Sequence, residues 1–512
     1  MNKDSRTKNS IRNSTISITT QILTVIMDFV VKTIFIKVLG DEYLGINGLF
    51  ANIITLLSLA DLGVGIAIPY SLYKPLAEKD EQKIKVLMKF YKKTYNLIGC
   101  VVLAIGISLT PFLNFIIKDM PDIPGIYFIY ILFVTHSALS YFFVYKKFLI
   151  ESDQKGYIVS RITFICSFAL NIVRVIVLLL TKNFILYLFC SIIFVLIQNF
   201  WYSYKANKMY PYITEKTDEN ISKEDFKEIS NNVSSLLIYK IGNVITSGTD
   251  NIVISKFIGL VAVGIYSNYV LISNSLVNVL TQIFNAITAS IGNLVVTNNE
   301  RSKTIYENLN FFCFWIYSLC SICLFLLINP FIQIWLGNNY VLSTTVSFFL
   351  ALNFYIMGMQ SVTNSFRTAY GLFYKARFRP IIMVIINIIV SVILVGPLGI
   401  SGVLIGTIVS RILTVAWLDP YIVYKYGFQD SPKKYYQTYI YYLIIFLIGS
   451  IILFYICSFI HTINIFTWII MAIIILLFYN LALYLLFSKT REFQFFYQKG
   501  YQLIKKMKRR NA

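Results

Sequence analysis

Seven charged side chains interrupt stretches of the sequence that are otherwise apolar: the bases Lys32, Arg174, Lys240 and Arg411, and the acids Asp28, Asp61 and Asp250. A charge at the centre of a bilayer costs about 2.5 to 3.5 kcal/mol on insertion scales, so such a residue faces a partner or a wet cavity. The four bases are substrate-binding candidates for an anion, because phosphate oxygens take charge-assisted hydrogen bonds from Arg and Lys. An ionised diphosphate is an anion that needs this help, since it cannot cross bare hydrocarbon at acceptable cost. The three acids are candidates for binding a coupling cation, or for gating by alternate pairing with the bases.

Some of these charges also have a plainer reading. Asp28 and Lys32 lie four apart on one helical face and could neutralise one another, and Lys240 could snorkel to the interface. Arg174 and Arg411 have no acid within a helical turn, which makes them the firmer cavity candidates.

The elements that carry these residues follow from composition. The chain has 512 residues, 57% hydrophobic, 16% aromatic and only 13% charged. Water-soluble chains carry about 25% charged residues, so this pattern belongs to an all-α polytopic membrane protein and excludes a disordered, collagen-like or disulfide-stapled chain. Runs long enough to span a bilayer fall at 15–38, 43–73, 91–117, 123–145, 157–181 and 184–204, then at 233–258, 261–297, 305–328, 341–366, 378–395 and 399–424, with a last pair at 439–459 and 463–487. That is about 14 transmembrane helices. The organisation expected is an N-terminal lobe at 1–204 holding helices 1–6, a cytoplasmic linker at 205–232, a C-terminal lobe at 233–425 holding helices 7–12, and helices 13–14 with a basic tail at 426–512.

The net charge of +21 is largely an orientation signal. With the N-terminus inside, 38 of the 45 bases fall on cytoplasmic segments, Lys240 near the cytoplasmic end of its span included, and four outside, namely Lys37, Lys118, Lys182 and Lys256. The positive-inside rule then puts both termini in the cytoplasm. All external connections are short, so no external domain is available to hold a catalytic site. The first apolar run carries Asp28 and Lys32 and lacks a small-residue cleavage site, and reads as a retained helix. The seven cysteines lie in apolar runs, Cys320 and Cys323 included, and behave as small hydrophobes. With only His136 and His461 in the chain, neither metal nor cofactor is expected.

In the linker, acids and bases nearly cancel, and Ser222 to Asp225 has capping-box spacing, so a surface helix and a plain connector are expected. An internal repeat joins the halves. KVLGDEYLGI, with Lys37, Gly40 and Gly45, matches KFIGLVAVGI, with Lys256, Gly259 and Gly264, at an offset of 219, and Asn171-Ile172 matches Asn387-Ile388 at 216. Parallel repeats of this kind form two lobes about an axis along the membrane normal, with a site near the midplane.

Three segments carry a family resemblance: RNSTISITTQILTVIMDFVVKTIFIKVLGDEYLGINGLFANIITLLSLADLGVGIAI from Arg12, the following YSLYKPLAEKDEQKIKVLMKFYKKTY, and GPLGISGVLIGTIVSRI from Gly396. The chain resembles polysaccharide flippases of the Wzx or polysaccharide-transporter type, within the multidrug/oligosaccharidyl-lipid/polysaccharide exporter superfamily. The resemblance implies fourteen helices and no enzymatic activity. It further implies translocation of an undecaprenyl-diphosphate-linked oligosaccharide across the bacterial cytoplasmic membrane by alternating access, for capsule or exopolysaccharide. Coupling to H+ or Na+, contact with membrane lipids and a glycan polymerase partner belong to the same expectation; nucleic acid does not. A lipid II flippase and a cation-coupled multidrug exporter are alternatives within the superfamily, the latter calling for a more acidic cavity. A membrane glycan polymerase or ligase is the alternative of another class.

Overall fold

The computed structural model describes residues 23–57, 64–117, 121, 123–153, 155–215, 217–227, 248–297, 299–372, 374–376, 378–460 and 464–498. The longer helices are α1 (23–39), α2 (Asp41–Leu57), α3 (Val64–Glu78), α4 (Glu81–Ser108), α5 (Ile126–Tyr141), α6 (Tyr145–Ser152), α7 (Gly156–Thr181), α8 (Phe184–Met209) and α9 (248–257). They continue as α10 (Leu260–Thr297), α11 (Asn299–Leu336), α12 (Thr344–Ala369), α13 (Arg379–Leu398), α14 (Ile400–Leu413), α15 (Val415–Ile422), α16 (Lys433–Ser458) and α17 (Ile465–Phe487). Among the described residues there is no strand.

Among the described residues ten helical segments are long and apolar enough to cross a membrane, and α5 with α6, bent by 44° at a short break, makes an eleventh when the pair is counted as one span. The remaining sequence-predicted spans fall on α1, on α2 with α3, and on α9, each adjoining residues outside the described set. The outer faces are apolar: Leu180 and Phe459 are each 79% exposed and Leu485 70%. Such surfaces suit hydrocarbon, where backbone polar groups must be satisfied within the helix.

Polar residues mark the helix starts. Asp80 caps α4 by accepting from the Lys83 amide at 2.9 Å, Asn183 caps α8, and Asn464 with Thr467 forms a capping box at α17. Each satisfies amides that the first turn leaves without a partner.

The chain forms two compact units, Met1–Ser267 and Asn268–Ala512. In the first, α4 packs on α5, α5 on α8 and α7 on α8, around a core that includes Leu87, Tyr91, Tyr95, Tyr141 and Tyr145. The break between α5 and α6 turns at Phe143, whose φ is +67°. It frees carbonyls, and the Asn199 amide of α8 donates to Ser140 O at 3.0 Å and to Phe142 O at 2.8 Å. A broken helix is tolerated in a membrane protein when neighbours satisfy the freed groups in this way.

In the second unit α11 packs on α12, and α13 and α14 form a close antiparallel pair in which Asn387 donates to Thr407 Oγ1 at 2.9 Å. Pro330 lies inside α11, and the preceding Asn329 ties the region together. It accepts from Tyr269 at 2.7 Å and from Ser347 at 2.8 Å, and donates to Leu342 O at 3.0 Å. The final pair, α16 and α17, packs on α11. Phe314 stacks on Tyr442 at 4.1 Å between ring centroids, and Trp315 Nε1 donates to Asn480 at 2.8 Å.

Candidate functional site

The repeat seen in the sequence comes together in space within the first unit. Gly40 and Gly259 both turn with positive φ, +86° and +129°, which a residue without a Cβ adopts at no steric cost. A Cβ on Gly45 would run into the Leu260 carbonyl, and one on Gly264 would lie 2.9 Å from the Asp41 carbonyl. The offset of 219 that pairs Gly45 with Gly264 also pairs Asp41 with Leu260. The two contacts are therefore the same contact made twice with roles exchanged, as in a two-fold interface.

This close approach of α2 and α10 brings the backbone of α10 to Lys32. The Lys32 ammonium donates to Ser267 O and to Ser267 Oγ, both at 2.9 Å. Asp28, one turn earlier on α1, faces α7 and accepts from Asn171 Nδ2 at 3.5 Å. Among the described residues no ion pair joins Asp28 to Lys32, so the self-neutralising pair is not what this arrangement contains. Asp28 instead lies within electrostatic reach of Arg174, which is three residues beyond Asn171 on the same helix face.

Arg174 is held by neutral groups. Its Nε and Nη2 donate to Ser191 Oγ at 3.2 and 2.6 Å, and its guanidinium lies 4.5 Å from the centroid of the Tyr187 ring. Ser191 and Tyr187 are one turn apart on α8, and Ser191 in turn donates to the Tyr187 carbonyl at 3.1 Å. A guanidinium fixed by a hydroxyl and a ring face, and joined to no carboxylate by an ion pair among the described residues, keeps charge available for an anion.

Of the other sequence candidates, Asp250 is half-buried near the start of α9 and within electrostatic reach of the buried Tyr266. Arg411 belongs to the second unit, half-buried in the last turn of α14. Asp61 and Lys240 lie outside the described residues. Thus Asp28, Lys32 and Arg174 share one region of the first unit. Among the described residues no group of His, Cys, Asp and Glu could hold a metal ion.

One charged cluster escaped sequence reasoning. Arg367 and Arg379 are two of the 38 bases that the orientation rule assigns to cytoplasmic segments, yet both are buried, 0% and 4% exposed, on either side of Asp419, itself 3% exposed. Arg367 Nη1 donates to Asp419 Oδ1 at 2.9 Å and Arg379 Nη1 to Asp419 Oδ2; Arg367 Nη2 also donates to Asn364 at 2.8 Å. The signal was available: Asp419 is an acid inside the apolar run WLDPYIV.

A family model described as polysaccharide biosynthesis protein matches residues 10–291, more than half of the chain. The chain belongs to this family of polysaccharide biosynthesis proteins. Among curated proteins no sequence relative matches it. The fold of this polysaccharide biosynthesis protein is shared with solved transporters. The lipid II flippase MurJ in an inward closed conformation aligns at TM-score 0.64 and 14% identity over 91% of this chain and 98% of that one. An inward-facing multidrug resistance MATE family transporter of the MOP superfamily aligns at 0.59 and 14% identity over 79% and 96%. The Vibrio cholerae MATE transporter VcmN in its bent form gives 0.55 and 12% over 81% and 97%. Family and fold together make this polysaccharide biosynthesis protein an all-helical, multi-pass membrane protein.

Proposed function

We propose that the protein translocates polyprenyl-diphosphate-linked oligosaccharide repeat units from the cytoplasmic to the outer leaflet of the bacterial cytoplasmic membrane by alternating access, for capsule or exopolysaccharide assembly. The observation that carries this reading is Arg174, a guanidinium on an apolar helix held by Ser191 and Tyr187, with the Lys32 ammonium anchored on Ser267 in the same unit. Cationic heads anchored on neutral groups suit a diphosphate crossing the membrane. The family match to polysaccharide biosynthesis supports the choice of a glycan-bearing substrate.

In this reading Lys32, Arg174, Lys240 and Arg411 serve the diphosphate, and Asp28, Asp61 and Asp250 serve a coupling H+ or Na+ or the gate. The repeats at 1–204 and 233–425 are the two transport lobes, both termini are cytoplasmic, and the protein performs no covalent chemistry itself. Deletion should accumulate lipid-linked repeat units in the cytoplasmic leaflet. Complementation with Arg174→Gln or Lys32→Met, each removing charge-assisted bonds, should restore membrane insertion but leave surface glycan reduced by about tenfold or more. Normal surface glycan in both variants removes the proposal. Unchanged glycan with altered dye efflux would mark a drug exporter, and accumulation of lipid II would mark a peptidoglycan flippase.

A further inference from the structure

A second basic site lies in the first unit, away from Lys32 and Arg174. A cavity of about 600 Å³ is lined by Lys85, Lys89 and Lys92 of α4, Lys146 of α6, Asn207 of α8 and Thr217 of the linker. The volume falls within the roughly 300 to 1,000 Å³ typical of ligand pockets. The spacing of Lys85, Lys89 and Lys92 puts all three on one helix face.

The ammonium groups are only partly neutralised. Lys85 pairs with Glu215 at 2.6 Å, and Asp218 also borders the cavity, giving two acids against four bases. Lys89 donates to the carbonyls of Thr217 at 2.8 Å and Glu219 at 3.1 Å. Lys146 donates to Ser203 Oγ and Asn207 Oδ1, both at 2.9 Å. Among the described residues no ion pair joins Lys89, Lys92 or Lys146 to a carboxylate, and Lys92 is close enough to Lys146 for their like charges to repel. Like charges lining one cavity are stabilised by an anion between them.

The depth of the cavity follows from α8. Just before Asn207 this helix turns Phe200, Trp201 and Tyr204 outward, 54%, 37% and 64% exposed. Trp and Tyr gather where hydrocarbon meets head groups. The cavity therefore opens at head-group level.

We propose that this cavity binds a phosphate group at the membrane interface, held by Lys89, Lys92 and Lys146, with the linker as one wall. The phosphate is carried either by an anionic phospholipid or by a soluble phosphate compound. The proposal is independent of the translocation reading, since Lys32 and Arg174 are untouched by its test.

The test uses the full chain in nanodiscs of neutral lipid, with thermal stability followed as phosphatidylglycerol or inorganic pyrophosphate is added. Wild-type protein should be stabilised by at least one of them, and Lys92→Ala with Lys146→Ala should weaken the apparent affinity by about tenfold or more. The pair Lys92→Arg with Lys146→Arg, which keeps the charge, should retain the response. A response to phosphatidylglycerol alone assigns a lipid head group, and a response to pyrophosphate a soluble source. No stabilisation by either ligand, or an undiminished response in the alanine pair, overturns the site.

Discussion

Replacing Asp419 with Asn tests whether the buried cluster of the second unit is held by charge. Asp419 lies between two guanidiniums, with Arg367 fully buried, Arg379 4% exposed and Asp419 3% exposed. Among the described residues the cluster carries two positive charges and one negative. Asp419→Asn keeps the side-chain volume but leaves two like charges buried side by side, so its cost belongs with broken buried pairs, about 3 to 5 kcal/mol. Arg379→Met removes one positive charge and leaves Arg367 and Asp419 as a neutral pair joined at 2.9 Å. That change should cost less, below about 2 kcal/mol, because buried ions replaced by apolar groups are often nearly neutral in effect. In purified protein the thermal midpoint reads the difference at roughly 2 to 4 °C per kcal/mol for units of this size, so Asp419→Asn should fall by about 10 °C and Arg379→Met by a few degrees. Glu307→Gln is the control, since Glu307 meets the exposed Lys434 at 3.5 Å and surface pairs contribute about 0 to 1 kcal/mol. If Asp419→Asn melts within a degree of that control, or if Arg379→Met is the more damaging change, the charge argument is wrong.

Two further perturbations probe the packing of the first unit. Gly45→Ala should destabilise by about 1 to 3 kcal/mol through overpacking, since its Cβ would meet the Leu260 carbonyl, whereas Gly48→Ala finds its nearest atom at 3.4 Å and should be tolerated; equal thermal midpoints for the two would refute the reciprocal contact. The Lys83 ammonium donates to Asp225 at 2.9 Å and holds its carboxyl below the usual carboxylate range. A folded-state value depressed in this way stabilises linker attachment at neutral pH, and that contribution is lost as pH falls below about 4 and through the depressed value. Amide exchange across residues 223–227 should therefore accelerate in acid beyond its intrinsic change, and at pH 7 in Lys83→Met; a wild-type rate in Lys83→Met would dismiss the tether.

Much of the architecture was legible because membrane helices announce themselves locally. The apolar runs at 184–204 and 439–459 correspond to α8 and α16, and the Ser222 to Asp225 spacing forms the expected cap, with the Asp225 amide donating to Ser222 Oγ at 3.0 Å. The linker was less legible. Its acids and bases nearly cancel in composition, which suggests a plain connector, but Glu215, Glu219 and Asp225 reach α4 instead, at Lys85, Gln82 and Lys83. Charge counting cannot distinguish acids that meet one another from acids that meet a helix more than a hundred residues earlier.

The sequence by itself determined which segments are apolar enough to span a membrane, that Asp28, Lys32, Arg174 and Arg411 are charges within them, and that Gly40-Gly45 and Gly259-Gly264 match at one offset. Those properties depend on local composition and on the fixed thickness of hydrocarbon. Only the tertiary structure decided the partners: Asp28 to Asn171, Lys32 to Ser267, Arg174 to Ser191, and Arg367 with Arg379 to Asp419. Whether a buried charge is neutralised or left available depends on what the neighbouring helix presents within about 3 to 4 Å, and helix packing, not sequence spacing, sets that.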